Sequence, residues 1–358
     1  MRSAAADDLQ STHKVVACLG GGATALEERP APKPGPGEML LGLRVAGFCG
    51  TDLFKLATGG APAGAVLGHE LVGTVIALGD GVTRFREGDR IVVPHHVPCG
   101  TCVLCLRGNE TMCEAFRENL MLPGAFADTI LIRARATELA AHKIPAVLSD
   151  EKAVFVEPAA CVLRGINRSG LGQAGAAVIL GAGSMGLLHL LVLRALSPDL
   201  RIVAVDPAAT RLSLAEKLGA SAAVPPGAAA LAAVRAATDG TGADAVFDTV
   251  GGGEALAAGI ALSRPGGSIV LFAHAPHNSD ARLDLNAFFK TERRIVATYS
   301  GALKEQQAIF DLLVAGALDP SPLVTHILPL DDFELGVALV KQREALKVLF
   351  TPSRGSQA

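Results

Sequence analysis

The sequence predicts an α/β protein of two domains, one β-rich and one built on a doubly wound parallel sheet of six strands. Three observations predict this. From Ala176 onward, short apolar runs alternate with helical segments that close at Gly219, Gly240 and Pro265-Gly-Gly267. Within that half, Gly181-Ala-Gly-Ser-Met-Gly186 stands between a strand and a helix, the usual place for a tight phosphate-binding turn. Before it, alternating apolar runs and turn residues read mostly as strands. At 358 residues the chain also exceeds one ordinary core.

In chain order, Met1 to Thr12 carries no apolar core and reads as a loose tail, not a signal peptide. Residues 14 to 45 read as strands, interrupted by the stiff connector from Pro30 to Gly37. Residues 53 to 67 read as a loop. Leu71 to Leu78 and Arg90 to Val93 read as strands, parted by turns at Gly79-Asp-Gly81 and Glu87-Gly-Asp89. Residues 125 to 133 suggest a further strand. Ser149 opens a helix, and Pro158 restarts it, because proline fits a helix's first turn.

Composition excludes some classes of function. Net charge is -3 with no basic block, which argues against nucleic acid, since neutralising phosphates needs a concentrated positive face. One Tyr and no Trp leave little for base stacking. The longest apolar run, Gly186 to Arg194, is too short for a bilayer and contains His189. These features predict a soluble cytoplasmic protein. Seven cysteines in such a chain point to metal or catalysis rather than disulfides.

Two short segments carry potential metal chemistry. Cys49 follows the strand-like run Met39 to Val45, and His69 precedes the run Leu71 to Ile76. A thiolate and an imidazole at strand ends can bind a borderline-soft cation such as zinc. Alone, each is a weak signal, since a lone Cys or His is more often a packed structural residue. A stronger signal follows at Cys99, Cys102, Cys105 and Cys113, with two, two and seven residues between them. Short spacers let consecutive thiolates face one point, and the longer arm closes a tetrahedron. An iron–sulfur cluster is the rival, but no fifth cysteine or trailing proline follows. Glu157 lies among Val154, Phe155, Val156 and Ala159, where an acid is paired, liganding or an exposed cap.

In the second half, Ala177 to Leu180 reads as a strand and Leu187 to Leu196 as the helix after the turn. Gly181, Gly183 and Gly186 permit the tight bend and close approach to a pyrophosphate, and amides near Ser184 and Met185 favour the phosphates. Arg201 to Val205 is the second strand. Asp206 ends it, twenty residues past Gly186, placed to accept from both ribose hydroxyls of NAD and to repel a 2′-phosphate. Arg211 can meet a phosphate, pair with Asp206 or flank the adenine. Further strands are expected at 222–224, 245–247, 268–272 and 294–298, helices near 304–315 and 331–341, and a last strand at 347–350.

Assembled, these motifs resemble a zinc-dependent medium-chain alcohol dehydrogenase of the sorbitol and threonine dehydrogenase branch. The likeness runs from about Lys14 to Phe350 and includes Pro322-Leu-Val-Thr-His326. It implies a GroES-like catalytic domain over 1–164 and 300–358, with a structural zinc lobe at 95–115, and a Rossmann NAD-binding domain over 165–299. It implies a catalytic zinc on Cys49, His69, Glu70 and Glu157, with the roles of the two acids interchangeable, and a second, structural zinc on the four cysteines. Asp52 would accept from the His69 ring. Thr51 would take the substrate's hydroxyl proton, and Lys347 would contact the cofactor pyrophosphate. NAD is favoured over NADP, and relatives of this kind are homodimers or homotetramers.

The implied reaction passes hydride between NAD(H) and a secondary alcohol or ketone. The sequence departs from the family where Phe54 replaces a histidine that hands protons to solvent. It also reads Thr298-Tyr299 where sorbitol enzymes carry Arg-Tyr. Arg117, Glu118 and Asn119 either line a polar substrate pocket, suiting a polyol, cyclitol or amino alcohol, or form a solvated loop. His95 and His96 read as loop residues, and His189, His326 and Cys18 as structural. Two other readings stand beside this one: a zinc-free quinone or enoyl reductase of the same superfamily, and a catalytically silent NAD- or zinc-binding protein.

Overall fold

A computed structural model describes residues 12–172, 175–275 and 279–356. The expected tail lies outside the described residues except for Thr12, which opens the first strand. The chain divides into two compact units, Met1–Glu157 with Ser321–Ala358, and Pro158–Pro320.

The first unit is built on an antiparallel hairpin and a larger mixed sheet. Strands Thr12–Gly20 and Ala23–Pro30 form the hairpin. In the larger sheet, strand Met39–Gly47 pairs antiparallel with Glu70–Leu78, which pairs with Arg90–Pro94. On the other side of Met39–Gly47 lies the carboxy-terminal strand Lys347–Thr351, antiparallel to it and parallel to Val324–Pro329. The last strand thus returns to the first unit, as its apolar run suggested. Strand Thr129–Ile132 is shorter than the expected 125–133.

An aromatic cluster fills the floor of this sheet. Phe126 and Phe350 each lie near Phe333, at ring-centroid distances of 4.9 Å and 4.8 Å, and Phe48 joins them at 5.8 Å from Phe333. All four are buried. Phe48 precedes Cys49 directly, so this packing anchors the backbone that presents the thiol.

One expected loop is a helix. Residues Gly50–Thr58 are helical, against the loop reading of 53–67. The cause is local. The Cys49 Sγ accepts from the Thr51 N–H at 3.5 Å, and the Cys49 N–H donates to Asp52 Oδ2 at 3.1 Å. This reciprocal arrangement satisfies donors that a helix start leaves open.

The second unit holds a six-stranded parallel sheet in the order Ala222–Val224, Arg201–Val205, Ala176–Leu180, Ala243–Asp248, Ser263–Leu271, Arg294–Ala297. Numbered along the chain from Ala176, that order is third, second, first, fourth, fifth, sixth, which is the doubly wound arrangement. Its central strand Ala176–Leu180 is buried throughout, as expected for a sheet covered on both faces. Helix Ser184–Leu196 follows that strand and buries Leu187, Leu188, Leu190 and Leu193.

Candidate active site

Asp52 ties the two metal-binding segments together. Its carboxylate is fully buried and accepts from the Cys49 N–H at 3.1 Å and from the Gly68 N–H at 3.3 Å. The same group lies 3.4 Å from His69 Nδ1. Nδ1 therefore faces the acid, and Nε2 is left for another partner, the usual way a carboxylate fixes a ligating imidazole. Burial disfavours the charged His69 ring, but Asp52 and the Cys49 thiol outweigh it and hold its pKa well above the ordinary value. Burial likewise opposes ionisation of Asp52, yet His69 and the two N–H donors keep its pKa below the usual range.

Cys49, His69 and Glu70 each offer a ligand atom, and these atoms lie within 4.8 Å of one another. A thiolate, an imidazole and a carboxylate converging on one point suit a zinc ion with an open fourth position. Glu70 is wholly buried, and its carboxylate pairs with the Lys347 ammonium. Gly47 makes room for that pair: a Cβ there would sit 1.9 Å from Glu70 Oε2 and 3.0 Å from Lys347 Cε. Burial opposes the Lys347 charge, but Glu70, Cys49 and Glu157 together raise its pKa. The structure thus gives Lys347 a carboxylate partner inside the first unit and leaves it 3% exposed.

Glu157 lies outside the close three-residue group, in the first turn of helix Val156–Ser169. It is buried and acts on Lys347 electrostatically. Thr51 is half-buried on the first turn of helix Gly50–Thr58. Glu118 pairs with Arg135 at 2.9 Å, and Asn119 Oδ1 accepts from the Met121 N–H at 3.1 Å, so local partners occupy both.

The four cysteines form a second group whose sulfurs lie within 4.8 Å of one another. Individual Sγ separations are 3.5 Å for Cys102–Cys105, 3.6 Å for Cys99–Cys113 and 3.9 Å for Cys99–Cys105. Tetrahedral zinc with Zn–S near 2.3 Å requires sulfurs about 3.8 Å apart, so the set is already sized for it. N–H donors at Thr101 and Cys102 press the Cys99 thiol down to about 6, while burial lifts Cys105 to about 12.

His95 and His96, expected to be loop residues, follow strand Arg90–Pro94 and sit beside His69. The register explains it: Glu70 pairs with Pro94, so His69 and His95 come next on their strands. Ring centroids are 4.8 Å apart for His69–His95 and 3.6 Å for His95–His96. Burial, with nearby cationic groups, drives the pKa of His95 far down and that of His96 to about 4, so both rings are neutral. Only the strand register, invisible in the spacing, could have signalled this.

In the second unit, the glycine turn leads into helix Ser184–Leu196, with Met185 in its first turn. Gly186 is irreplaceable on contact grounds, since a Cβ would sit 1.8 Å from the Gly181 carbonyl oxygen. Asp206 is buried at the end of its strand. Its Oδ2 accepts from the Ala182 N–H and its Oδ1 from the Ala208 N–H, both at 2.8 Å, so it also holds the turn. Of the alternatives open to Arg211, the structure shows it beside the acid, 3.8 Å from Asp206 Oδ2.

This fold and these donor sets define a zinc-binding, nicotinamide-dependent oxidoreductase. Comparison with known proteins agrees. A model of the alcohol dehydrogenase GroES-like domain matches residues 35–146, and one of the zinc-binding dehydrogenase domain matches 184–315. L-threonine 3-dehydrogenase of Bacillus velezensis is 30% identical over 92% of this chain and 96% of its own length. Erythritol/L-threitol dehydrogenase of Mycolicibacterium smegmatis is 31% identical over 95% and 98%. The structure of alcohol dehydrogenase TADH from Thermus sp. ATN1 superposes with a TM-score of 0.84 at 30% identity, over 95% of this chain and 99% of that one. The chain belongs to the zinc-dependent medium-chain alcohol dehydrogenase family. It is accordingly an enzyme that oxidises alcohols or reduces their carbonyl products with zinc and a nicotinamide cofactor.

Proposed function

We propose that this enzyme moves hydride between NAD(H) and a secondary alcohol or ketone of the polyol, cyclitol or amino alcohol class. The observation that carries the proposal is the convergence of Cys49, His69 and Glu70 within 4.8 Å around a buried Asp52. The substrate class is supported by relatives named for threonine, erythritol and threitol. In this reading Cys49, His69 and Glu70 hold a catalytic zinc, Glu157 serves as its fourth ligand or holds its water, and the four cysteines hold a structural zinc.

When bound, catalytic zinc supplies Lewis acidity that lets a hydroxyl ionise near neutral pH, and nicotinamide supplies the hydride acceptor. The chain's own residues do the rest. Asp52 fixes the His69 tautomer and the two backbone segments. Lys347 balances the buried Glu70 charge, which would otherwise carry a heavy desolvation cost. Thr51 takes the hydroxyl proton. With Phe54 in place of a histidine, Thr51 would pass that proton on to water or to Lys55. Asp206 selects NAD by accepting ribose hydroxyls and repelling a 2′-phosphate, while Gly181, Gly183, Ser184, Met185 and Gly186 receive the pyrophosphate.

The enzyme also assembles with itself in this reading. Strand Arg294–Ala297 is an outer strand of the parallel sheet, with Ile295 37% and Tyr299 47% exposed. A second copy of the same edge, related by a two-fold axis, would cover it. We place the protein in the cytoplasm, where its seven cysteines stay reduced.

The test is a panel of polyols, cyclitols, amino alcohols and simple secondary alcohols, run with NAD and NADP, alongside zinc analysis. Turnover with NAD on a polyhydroxylated or amino alcohol, in protein carrying two zinc ions per chain, is expected. Activity without zinc, or no turnover on any secondary alcohol, would refute it.

A further inference from the structure

A continuous line of rings joins the two metal-binding groups. From His69 it runs to His95 at 4.8 Å, to His96 at 3.6 Å and to Phe116 at 5.0 Å between centroids. Phe116 has no exposed surface and packs in one cluster with Cys105 and Cys113, against Cys99 and Cys102. At the other end, Asp52 holds the far side of the His69 ring. The rings have little freedom of their own. Strand register fixes His95 beside His69, and close packing transmits displacement rather than absorbing it.

We propose that the four-cysteine lobe positions His69 through this stack, so that metal in the lobe strengthens metal binding at Cys49, His69 and Glu70. The inference rests on the reading of both groups as zinc sites. Without a cation, the four sulfurs lose the bonds that would hold them to one point, and a lobe of this kind loses its fold. Phe116 then loses the cysteine wall it packs on, His96 loses Phe116, and the stack no longer backs the His69 ring from the lobe side. Linkage makes the effect reciprocal: whichever site fills first favours the other. His95 and His96 are therefore positioning residues, and what matters in His96 is the flat ring that bridges His95 and Phe116.

The experiment follows zinc release from the full-length, zinc-loaded protein into excess chromogenic chelator. The phase belonging to the Cys49 site is assigned as the one missing in Cys49→Ser. His96→Ala and Phe116→Leu should each speed that phase by about tenfold, within the usual range of site-to-site coupling. His96→Phe, which keeps a flat ring, should bring the rate back to within about twofold of wild type. Cobalt in place of zinc gives a second readout: the absorption bands of the Cys49 site should broaden in His96→Ala and recover in His96→Phe. Equal release rates in wild type and His96→Ala would overturn the coupling. So would a His96→Phe protein as labile as His96→Ala. Wild-type protein holding fewer than two zinc ions per chain would overturn both the coupling and the two-site reading beneath it.

Discussion

Mild acid should loosen the parallel-sheet unit through one residue, His189. This histidine sits on helix Ser184–Leu196 with no exposed surface, between Phe247 and Phe272 at 5.2 Å and 4.5 Å. Its Nδ1–H donates to the Met185 carbonyl at 2.7 Å, and its Nε2 is buried with no hydrogen-bond partner among the described residues. Burial lowers its pKa from 6.5 to about 4, so folding favours the neutral ring. The sign follows directly. Between those two pH values the unfolded chain binds the proton and the folded chain does not, so stability is intact above pH 6.5 and falls as pH drops toward 4. At pH 5 the loss from this one group comes to about 2 kcal/mol, and below pH 4 it approaches about 3 kcal/mol. His189→Phe removes the titration while keeping an aromatic ring. Amide hydrogen exchange in strand Ala176–Leu180, compared between pH 7.5 and pH 5 after correction for intrinsic rates, reports the opening free energy of this unit. Wild type should lose about 2 kcal/mol more than His189→Phe across that interval. Other acid-sensitive groups, such as His13 and His95, are present in both proteins and cancel. Equal losses in the two proteins would refute the argument.

Three further outcomes are expected. Asp52→Asn keeps the shape but removes the charge facing His69 and sets an amide group against N–H donors; zinc affinity at the Cys49 site should fall about 10- to 100-fold by chelator competition, with the four-cysteine zinc retained. Gly186→Ala forces a methyl group within 1.8 Å of the Gly181 oxygen, so the turn must open and NAD affinity, measured by NADH fluorescence titration, should fall at least about tenfold. Asp206→Ala should lower the ratio of kcat/KM with NAD to that with NADP by about tenfold or more, and an unchanged ratio would remove Asp206 from cofactor choice.

The second unit was more legible in the sequence than the first, for a physical reason. Its central parallel strands are buried on both faces and read as apolar runs, and the turn from Gly181 to Gly186 marks a backbone bend that tolerates few residues. The four cysteines were equally plain, because ligands close in sequence advertise a shared point. Helix Gly50–Thr58 was missed because Cys49, not a serine or threonine, provides its cap, and the preceding glycine-rich segment imitates a loop. The partnership of Lys347 with Glu70 was hidden by their separation along the chain, although an isolated basic residue opening an apolar strand was a hint. His95 and His96 do lie outside the strands, as read, but their stacking beside His69 follows from a strand register that composition cannot reveal.

The placement of strand Lys347–Thr351 has a consequence for how the protein is made. This strand lies against Met39–Gly47, supplies Phe350 to the aromatic floor and brings the ammonium that neutralises Glu70. A nascent chain that has released Cys49 and His69 from the ribosome still lacks all three contributions until residues 347–350 emerge, nearly 280 positions after His69. The second unit, whose strands all lie between residues 176 and 297, can mature while translation continues. Zinc capture at Cys49 should therefore wait for residues 347–351 to emerge, and proteins truncated before residue 347 should accumulate as chains with a folded nucleotide module and an unfinished metal pocket.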